Sequence, residues 1–378
     1  MCRTHIWSMR RQRLSFLFAI LIATPASTAE LLGHFEPTGD MIRARSGHTA
    51  TLLNDGRVLF AGGSGDRVAE IYDPSTRTFT RTGDMTAGRR GHSATLLADG
   101  RVLIAGGAPW STSAEIYDPA TERFAATGDM LEDQFKQAAT LLPDGRVLIV
   151  GGERYAPPFP TAARPELYDP ATGTFSFAAL HGGAVWPTAN VLPDGKILII
   201  AGNPPALYDP ATATFSFTGA MLETGYLYEV EWHAATSLRD GSVLLTGGND
   251  DGTCGGFNYA ELYDPSSGQF RIVGPMTTAR DIHTATLLQD GKVLIAGGGE
   301  GWCSTPTISS TELYDPEKRS FTAAGHMTRS RREHTATLLN DGSVLIAGGT
   351  FYEPGGTLQS AELYVPAYAH TGRTRSRR

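Results

Sequence analysis

The chain has 378 residues and a net charge of −7. This length is enough to bury a substantial core, and the acidic balance argues against nucleic acid as the main partner. No apolar run after the N-terminus is long enough to span a bilayer, so we expect no membrane span.

The first 29 residues predict a secretory signal peptide. A basic cluster leads into the apolar run LSFLFAILIA, and the small residues Ser27 and Ala29 precede Glu30. Translation starts at Met1 or at Met9. Loss of the segment removes four arginines and no acid, which changes the net charge to −11. We therefore expect a secreted or periplasmic protein.

The remainder of the chain is a repeat. The stretch HTATLLNDGSVLIAGG at 334–349 recurs in close copies, and an Asp-Gly pair marks seven units at intervals of 44 to 51 residues. Each unit predicts four short strands, with Asp-Gly as the hairpin turn between the first two and a Tyr-Asp-Pro turn after the third. The Asp-Gly aspartates are Asp55, Asp99, Asp144, Asp194, Asp240, Asp290 and Asp341.

A four-stranded sheet with two apolar faces needs a neighbour on each side, and a closed ring gives every sheet two neighbours. The chain ends support closure, because Glu36–Met41 resembles a fourth strand without the preceding three and the last unit stops after Ala361–Pro366. The sequence predicts an all-β, seven-bladed β-propeller of four-stranded antiparallel blades, closed by an N-terminal strand that completes the last blade. We assign 30–369 to this propeller, expect a monomer, and interpret 370–378 as a basic disordered tail.

These units resemble kelch repeats. The likeness rests on the Gly-Gly pair that ends the second strand, the Tyr of the third strand and the Arg-x-x-His sequence before the first strand, and it covers about residues 35 to 366. The chain is thus similar to the galactose-oxidase-type propellers and to exported bacterial kelch-repeat proteins. The family includes oxidases, sugar epimerases and protein-binding modules, so the resemblance implies a fold more than a function.

Length variation is confined to one face of the predicted ring. The turns after the first and third strands keep their length, whereas the second-to-third loops and the connections between units vary. These variable segments carry all four tryptophans that follow the N-terminal segment, together with several tyrosines and phenylalanines. These aromatics pack the loops, bind a protein, or stack on a sugar-like ligand whose hydroxyl groups donate to nearby carboxylates. The candidate ligand-binding residues are Trp110, Tyr155, Trp186, Tyr226, Tyr228, Glu229, Glu231, Trp232, Asp250, Asp251, Trp302 and Tyr352.

The Arg-x-x-His sequence is unevenly kept. A His recurs at His48, His92, His233, His283 and His334, and we interpret it as a structural hydrogen-bonding residue between blades, with an axial metal-binding ring as the alternative. Units three to five lack the complete Arg and His pair, so the specialised pocket is expected in that sector.

Two enzymatic alternatives follow from the resemblance. A sugar epimerase or mutarotase would use Glu229, Glu231 or Arg280 as acid–base groups. A copper-radical oxidase would recruit two His and two Tyr, one Tyr bonded to a Cys, from Tyr226, Tyr228, His233, His283 and His334.

The cysteines bear on the oxidase. Cys254 and Cys303 lie at equivalent points of adjacent units, and in an exported protein they predict one disulfide, which would leave no thiol for the Tyr–Cys bond. The sequence therefore favours an exported binding module with a protein or glycan ligand on its variable face. We assign no catalytic residue, metal or cofactor.

Overall fold

A computed structural model describes residues 32–108, 110–155, 161–179, 185–222, 231–249, 255–301, 306–352 and 355–367. It is an all-β ring of seven four-stranded antiparallel sheets, as the repeat predicted. The described residues include no helix that is both long and apolar enough to cross a membrane.

The seven sheets are named blades 1 to 7 in chain order, and each runs from an inner first strand to an outer fourth strand. Blades 1 to 3 comprise Thr49–Leu52, Val58–Ala61, Ala69–Asp73 and Thr78–Arg81; Ser93–Leu96, Val102–Ala105, Ala114–Asp118 and Arg123–Ala126; and Ala138–Leu141, Val147–Val150, Glu166–Asp169 and Thr174–Phe177. Blades 4 to 6 comprise Thr188–Val191, Ile197–Ile200, Ala206–Asp209 and Thr214–Phe217; Ala234–Ser237, Val243–Thr246, Ala260–Asp264 and Gln269–Val273; and Thr284–Leu287, Val293–Ala296, Ser310–Asp315 and Ser320–His326. Blade 7 comprises Thr335–Leu338, Val344–Ala347, Ala361–Val365 and, from the N-terminus, His34–Pro37. Two short hairpins on the loops pair Glu153–Arg154 with Thr161–Ala162 and Thr350–Phe351 with Gly356–Thr357.

The N-terminal strand closes the ring. His34–Pro37 pairs with the third strand of blade 7, with Phe35 opposite Tyr364. The ring of Phe35 lies 5.3 Å from that of Tyr364, which repeats the Tyr–Phe pair that other blades form within themselves, such as Tyr72 and Phe79 at 4.8 Å. The predicted closing strand, which we call the latch, is confirmed, although it pairs over His34–Pro37 and not over Glu36–Met41. It ends at the same repeat position as other fourth strands, such as Thr78–Arg81, because the Thr-Gly that follows belongs to the connection.

The core lies between blades. One cluster of buried apolar residues fills each interface between neighbouring blades, including that between blade 7 and blade 1. The second strand is buried over its whole length in every blade, as in Val58–Ala61. First strands contact each other around the axis, so that Thr49–Leu52 meets Thr335–Leu338. The ring is therefore closed by packing as well as by strand pairing.

We call the segment that leads from one blade into the first strand of the next the lead-in. A buried Arg–Glu pair fixes each lead-in that has the full Arg-x-x-His sequence. Arg331 Nη2 lies 2.9 Å from Glu362 Oε1 of its own blade, and Arg331 Nη1 donates to the Gly348 carbonyl at the end of the second strand. Blades 1, 2 and 6 repeat this pattern with Arg45–Glu70, Arg89–Glu115 and Arg280–Glu312. These pairs hold the connections between blades against the sheets, and the connections carry the candidate site.

Candidate functional site at the axial mouth

The connections and the second-to-third loops share one face of the ring. Isolated bridges join the two kinds of segment, for example Phe135 to Glu153, Asp281 to Gly299 and Arg332 to Thr350. Each connection ends with a residue that directly precedes the first-strand His or its replacement, and these seven residues surround the axis. We call them the mouth ring: Gly47, Gly91, Lys136, Trp186, Trp232, Ile282 and Glu333.

All seven residues of the mouth ring have a positive φ, between 49° and 61°. The backbone links them to one another, since the N–H of Gly91 donates to the Gly47 carbonyl at 2.7 Å and that of Lys136 donates to the Gly91 carbonyl at 2.8 Å. The same bond joins Ile282 to Trp232 at 3.0 Å. A left-handed backbone costs an L-residue about 1–2 kcal/mol, yet five of the seven positions carry a side chain. Strain of this kind clusters at functional sites.

An ion pair crosses the mouth. Lys136 of the blade 3 lead-in and Glu333 of the blade 7 lead-in stand on nearly opposite sides of the ring, and Lys136 Nζ lies 3.1 Å from Glu333 Oε1. Both side chains are accessible, 22% and 30% exposed. Lys136 Nζ also lies 4.8 Å from the ring centroid of Trp186, a cation–π contact that fixes the ammonium group over the indole.

Aromatic side chains fill the mouth on the other side of this ion pair. The rings of Trp186 and Trp232 meet edge to face with centroids 5.1 Å apart. The aromatic contacts continue outward from Trp186 to Phe135, from Phe135 to Trp110 and from Trp110 to Tyr155, at 6.2, 5.9 and 5.8 Å. An apolar surface therefore runs from the axis to the exposed rim.

The mouth encloses a cavity of about 300 Å³. Every blade contributes to it through its mouth-ring residue and through the residue that follows, which is His48, His92, Gln137, Pro187, His233, His283 or His334. The sequence placed a specialised pocket in units three to five. Parts of that sector, 180–184 and 223–230, lie outside the described residues, so this expectation stays a prediction. The described cavity lies on the axis, because the seven lead-ins converge there.

The recurrent His is a structural residue, as one of the two sequence interpretations held. His48 Nε2 is 3.1 Å from Thr335 Oγ1 and His92 Nε2 is 3.0 Å from Thr49 Oγ1, so each bond joins neighbouring blades. Burial lowers the pKa of His92 and of His283 to about 3, with the nearby arginines acting in the same direction. These imidazoles are neutral at physiological pH.

One carboxyl group near the mouth is perturbed toward neutrality. Burial raises the pKa of Asp281 to about 6, against the opposing charge of Arg332. Its Oδ2 accepts from Asn249 Nδ2 at 3.2 Å, while its Oδ1 has no hydrogen-bond partner among the described residues. Asp281 directly precedes the mouth-ring residue Ile282 but does not line the cavity.

The structure places six of the predicted ligand-binding residues. Trp186 and Trp232 line the axial cavity, and Trp110 and Tyr155 belong to the aromatic surface that leads to it. Glu231 is buried beside Asn249, to which its backbone is bridged. Tyr352 lines a second cavity of about 440 Å³, which adjoins the axial one at Ile282 and Glu333.

The remaining predicted residues lie outside the described residues. They are Tyr226, Tyr228, Glu229, Asp250, Asp251, Trp302, Cys254 and Cys303. The sequence analysis missed Lys136, Ile282, Glu333 and the two glycines of the mouth ring. Their shared signal was available, since each occupies the position before the first-strand His of its unit or, for Lys136, before the Gln137 that replaces it.

The described residues do not fit a copper-radical centre. Within them no three His, Cys, Asp or Glu side chains gather as metal ligands, and the axial histidines hold threonine hydroxyls through Nε2. The tyrosines and cysteines that such a centre would need lie beyond the described part of the chain. We derive no chemistry through copper.

No protein-family model and no curated protein matches this sequence. Among solved structures, the chain is similar to a fungal alcohol oxidase of the AA5 family in complex with copper, at 17% identity and a TM-score of 0.74. The match covers 89% of this chain and 76% of the oxidase chain. At this identity the likeness shows the propeller fold alone.

Proposed function

We propose that this protein is an exported kelch-type propeller that binds a polyhydroxylated, sugar-like ligand in the axial cavity. The observation that carries the proposal is the composition of the mouth ring. It presents a donor and an acceptor 3.1 Å apart next to two indoles, around a cavity of about 300 Å³. Sugars combine apolar C–H faces with hydroxyl groups that both donate and accept, and a few placed polar groups in an apolar pocket are typical of small-ligand sites.

A glycan and peptide array screen of the mature protein tests this proposal. We expect glycan spots to retain the protein and Trp232→Gly to abolish retention, because glycine keeps the backbone at φ 54° while it removes the apolar wall. The control is Phe217→Ala, which removes an exposed aromatic from the outer strand of blade 4. Retention by peptide spots alone would contradict the proposal and favour a protein ligand.

A second candidate is a carbohydrate-active enzyme. Two observations favour it: the AA5 alcohol oxidase is a structural neighbour, and the buried carboxyl group of Asp281, with its pKa raised to about 6, lies beside the mouth ring. Groups that titrate near neutrality are suited to acid–base catalysis. Turnover of array-selected sugars, followed by NMR, would support this candidate if Asp281→Asn lowered the rate while binding persisted.

The proposed export rests on the N-terminal segment. Mass spectrometry of the protein from culture supernatant or periplasm should give a mature chain that begins near Glu30. A chain that retains the apolar segment in the cytoplasm would contradict export without affecting the assignment of the axial site.

A further inference from the structure

The mouth ring carries no side chain at Gly47 and Gly91, and the two glycines have different reasons. At Gly91 a Cβ atom would lie 2.5 Å from Phe135 Cε2, so the packing of Phe135 demands glycine. At Gly47 the nearest atoms to such a Cβ are Gly91 N at 3.5 Å and Arg90 Cβ at 3.7 Å, which are ordinary contact distances. Space would admit a side chain at Gly47.

Backbone conformation does not explain Gly47 either. Its φ of 60° is matched by Lys136 at 61°, and Trp232 and Glu333 have values of 54° and 53°. The chain thus accepts L-residues at five equivalent positions and leaves this one empty where a side chain would fit. An open position that folding does not require points to an outside group that uses the space.

Gly47 lies on one side of the ion pair, next to Gly91, whose side-chain space is filled by Phe135. Blades 1 and 2 stand between blade 7, which supplies Glu333, and blade 3, which supplies Lys136. The opposite arc is filled by Trp186, Trp232 and Ile282. Below Gly47 and Gly91 lie His48 and His92, whose buried Nδ1 atoms, like those of His283 and His334, have no hydrogen-bond partner among the described residues.

We infer that the open space at Gly47 admits the terminal residue of a glycan, which takes the place of the missing side chain beside the Lys136–Glu333 pair. This inference rests on the proposed function and specifies its ligand. Lys136 would donate to one hydroxyl and Glu333 would accept from its neighbour, since their charged groups are 3.1 Å apart and suit a vicinal diol. Because the mouth ring is closed, the interior of a linear polymer cannot pass through it, and only a chain end or a free monosaccharide can enter.

The test introduces a large side chain at Gly47. Gly47→Trp, a change to a residue that Trp186 and Trp232 already show in this conformation, should lower affinity for terminal-sugar array spots at least tenfold. Gly47→Ala should lower it less and provides a second variant with minimal steric demand. The matched control is Gly268→Trp. Gly268 has φ 69°, no atom within 4 Å of its Cβ position, and a place in a third-to-fourth turn on the opposite face, where Arg77 and Arg319 hold the same conformation in other blades.

The same arrays allow the ligand to be altered in place of the protein. Mild periodate treatment, which cleaves vicinal diols, should remove binding of the unmodified protein, and linear glycans immobilised through both ends should not bind. Unchanged affinity of a folded Gly47→Trp protein, or binding that survives periodate, would overturn the inference and leave a sugar-binding function intact. Failure of the unmodified protein to bind any glycan spot would instead remove the proposed function itself.

Discussion

The mouth ring shows how single residues depart from the repeat at a conformational cost. Glycine is the residue that a positive φ favours, and the ring nevertheless holds Lys136, Trp186, Trp232, Ile282 and Glu333 there. Positions where a sequence departs from a local conformational preference without stabilising the fold are expected at functional sites. Residues such as Arg77 and Arg319 have a positive φ in turns elsewhere, but the mouth ring gathers five such side chains around one cavity.

Ile282 allows this cost to be measured. A β-branched residue at φ 49° is the least compatible with a left-handed backbone, whereas asparagine adopts it readily. Ile282→Asn should therefore raise the free energy of unfolding by about 1 kcal/mol, in urea titrations followed by circular dichroism. The control is Ile272→Asn, an exposed isoleucine within the strand Gln269–Val273, which should lower stability because asparagine disfavours strands. Equal losses in both variants would show that the mouth ring is unstrained.

At the scale of the element, the inner strand joins neighbouring blades through neutral histidines. Thr284 Oγ1 lies 3.0 Å from His334 Nε2, and blade 3 makes an equivalent link with Gln137, whose Nε2 donates to the Ala105 carbonyl at 2.7 Å. The repeat therefore contains its own uncharged substitute for the histidine. A single histidine can therefore be replaced by glutamine to test the role of its imidazole while the link between blades is kept.

The pH dependence of stability follows from these histidines. His92 has a pKa of about 3 in the folded chain against 6.5 when exposed. Above pH 6.5 both states are neutral, and as pH falls from 6.5 toward 3 only the unfolded state binds the proton, so stability is lost by about 1.4 kcal/mol per pH unit for each such group. His92→Gln should make the decline of the urea midpoint between pH 6.5 and 4 shallower by one proton. An unchanged slope would mean that His92 is charged in the folded ring.

For the whole molecule, the sequence predicted the architecture because the repeat encodes it many times over. Seven Asp-Gly turns, buried second strands such as Val344–Ala347 and incomplete chain ends each demanded the same closed ring. The latch was placed too far along the chain, because the TGDM at 38–41, like that at 82–85 in blade 1, belongs to the connection after the fourth strand and not to the strand itself. The bounds of a repeated strand can be checked against several copies, whereas the N-terminal strand occurs only once.

The candidate site was less accessible to sequence reasoning. Aromatic content singled out Trp186 and Trp232, but Lys136 and Glu333 lie 197 residues apart and carry no local motif. Their proximity arises only when the ring closes and brings the lead-ins of blades 3 and 7 to one axis. The repeat predicts that a ring forms, but it does not show which side chains of different blades face each other across the axis.

Closure of the ring can be tested by removing the latch. A chain that begins at Asp40 lacks His34–Pro37 and uncovers the outer edge of Ala361–Val365 together with the ring of Tyr364. Because blade 7 then loses a strand and its aromatic pair, we expect the urea midpoint to fall, with a loss of several kcal/mol on the scale of deleting a large core side chain. A synthetic peptide of residues 30–41 should restore the midpoint in a concentration-dependent way, since it binds the folded ring and not the unfolded chain. The same peptide with Phe35→Ala serves as the control and should restore less, because it keeps the backbone pairing but not the contact with Tyr364. If the truncated chain were as stable as the full one, the seventh blade would hold without its fourth strand, and closure would rest on the packing between blades 7 and 1.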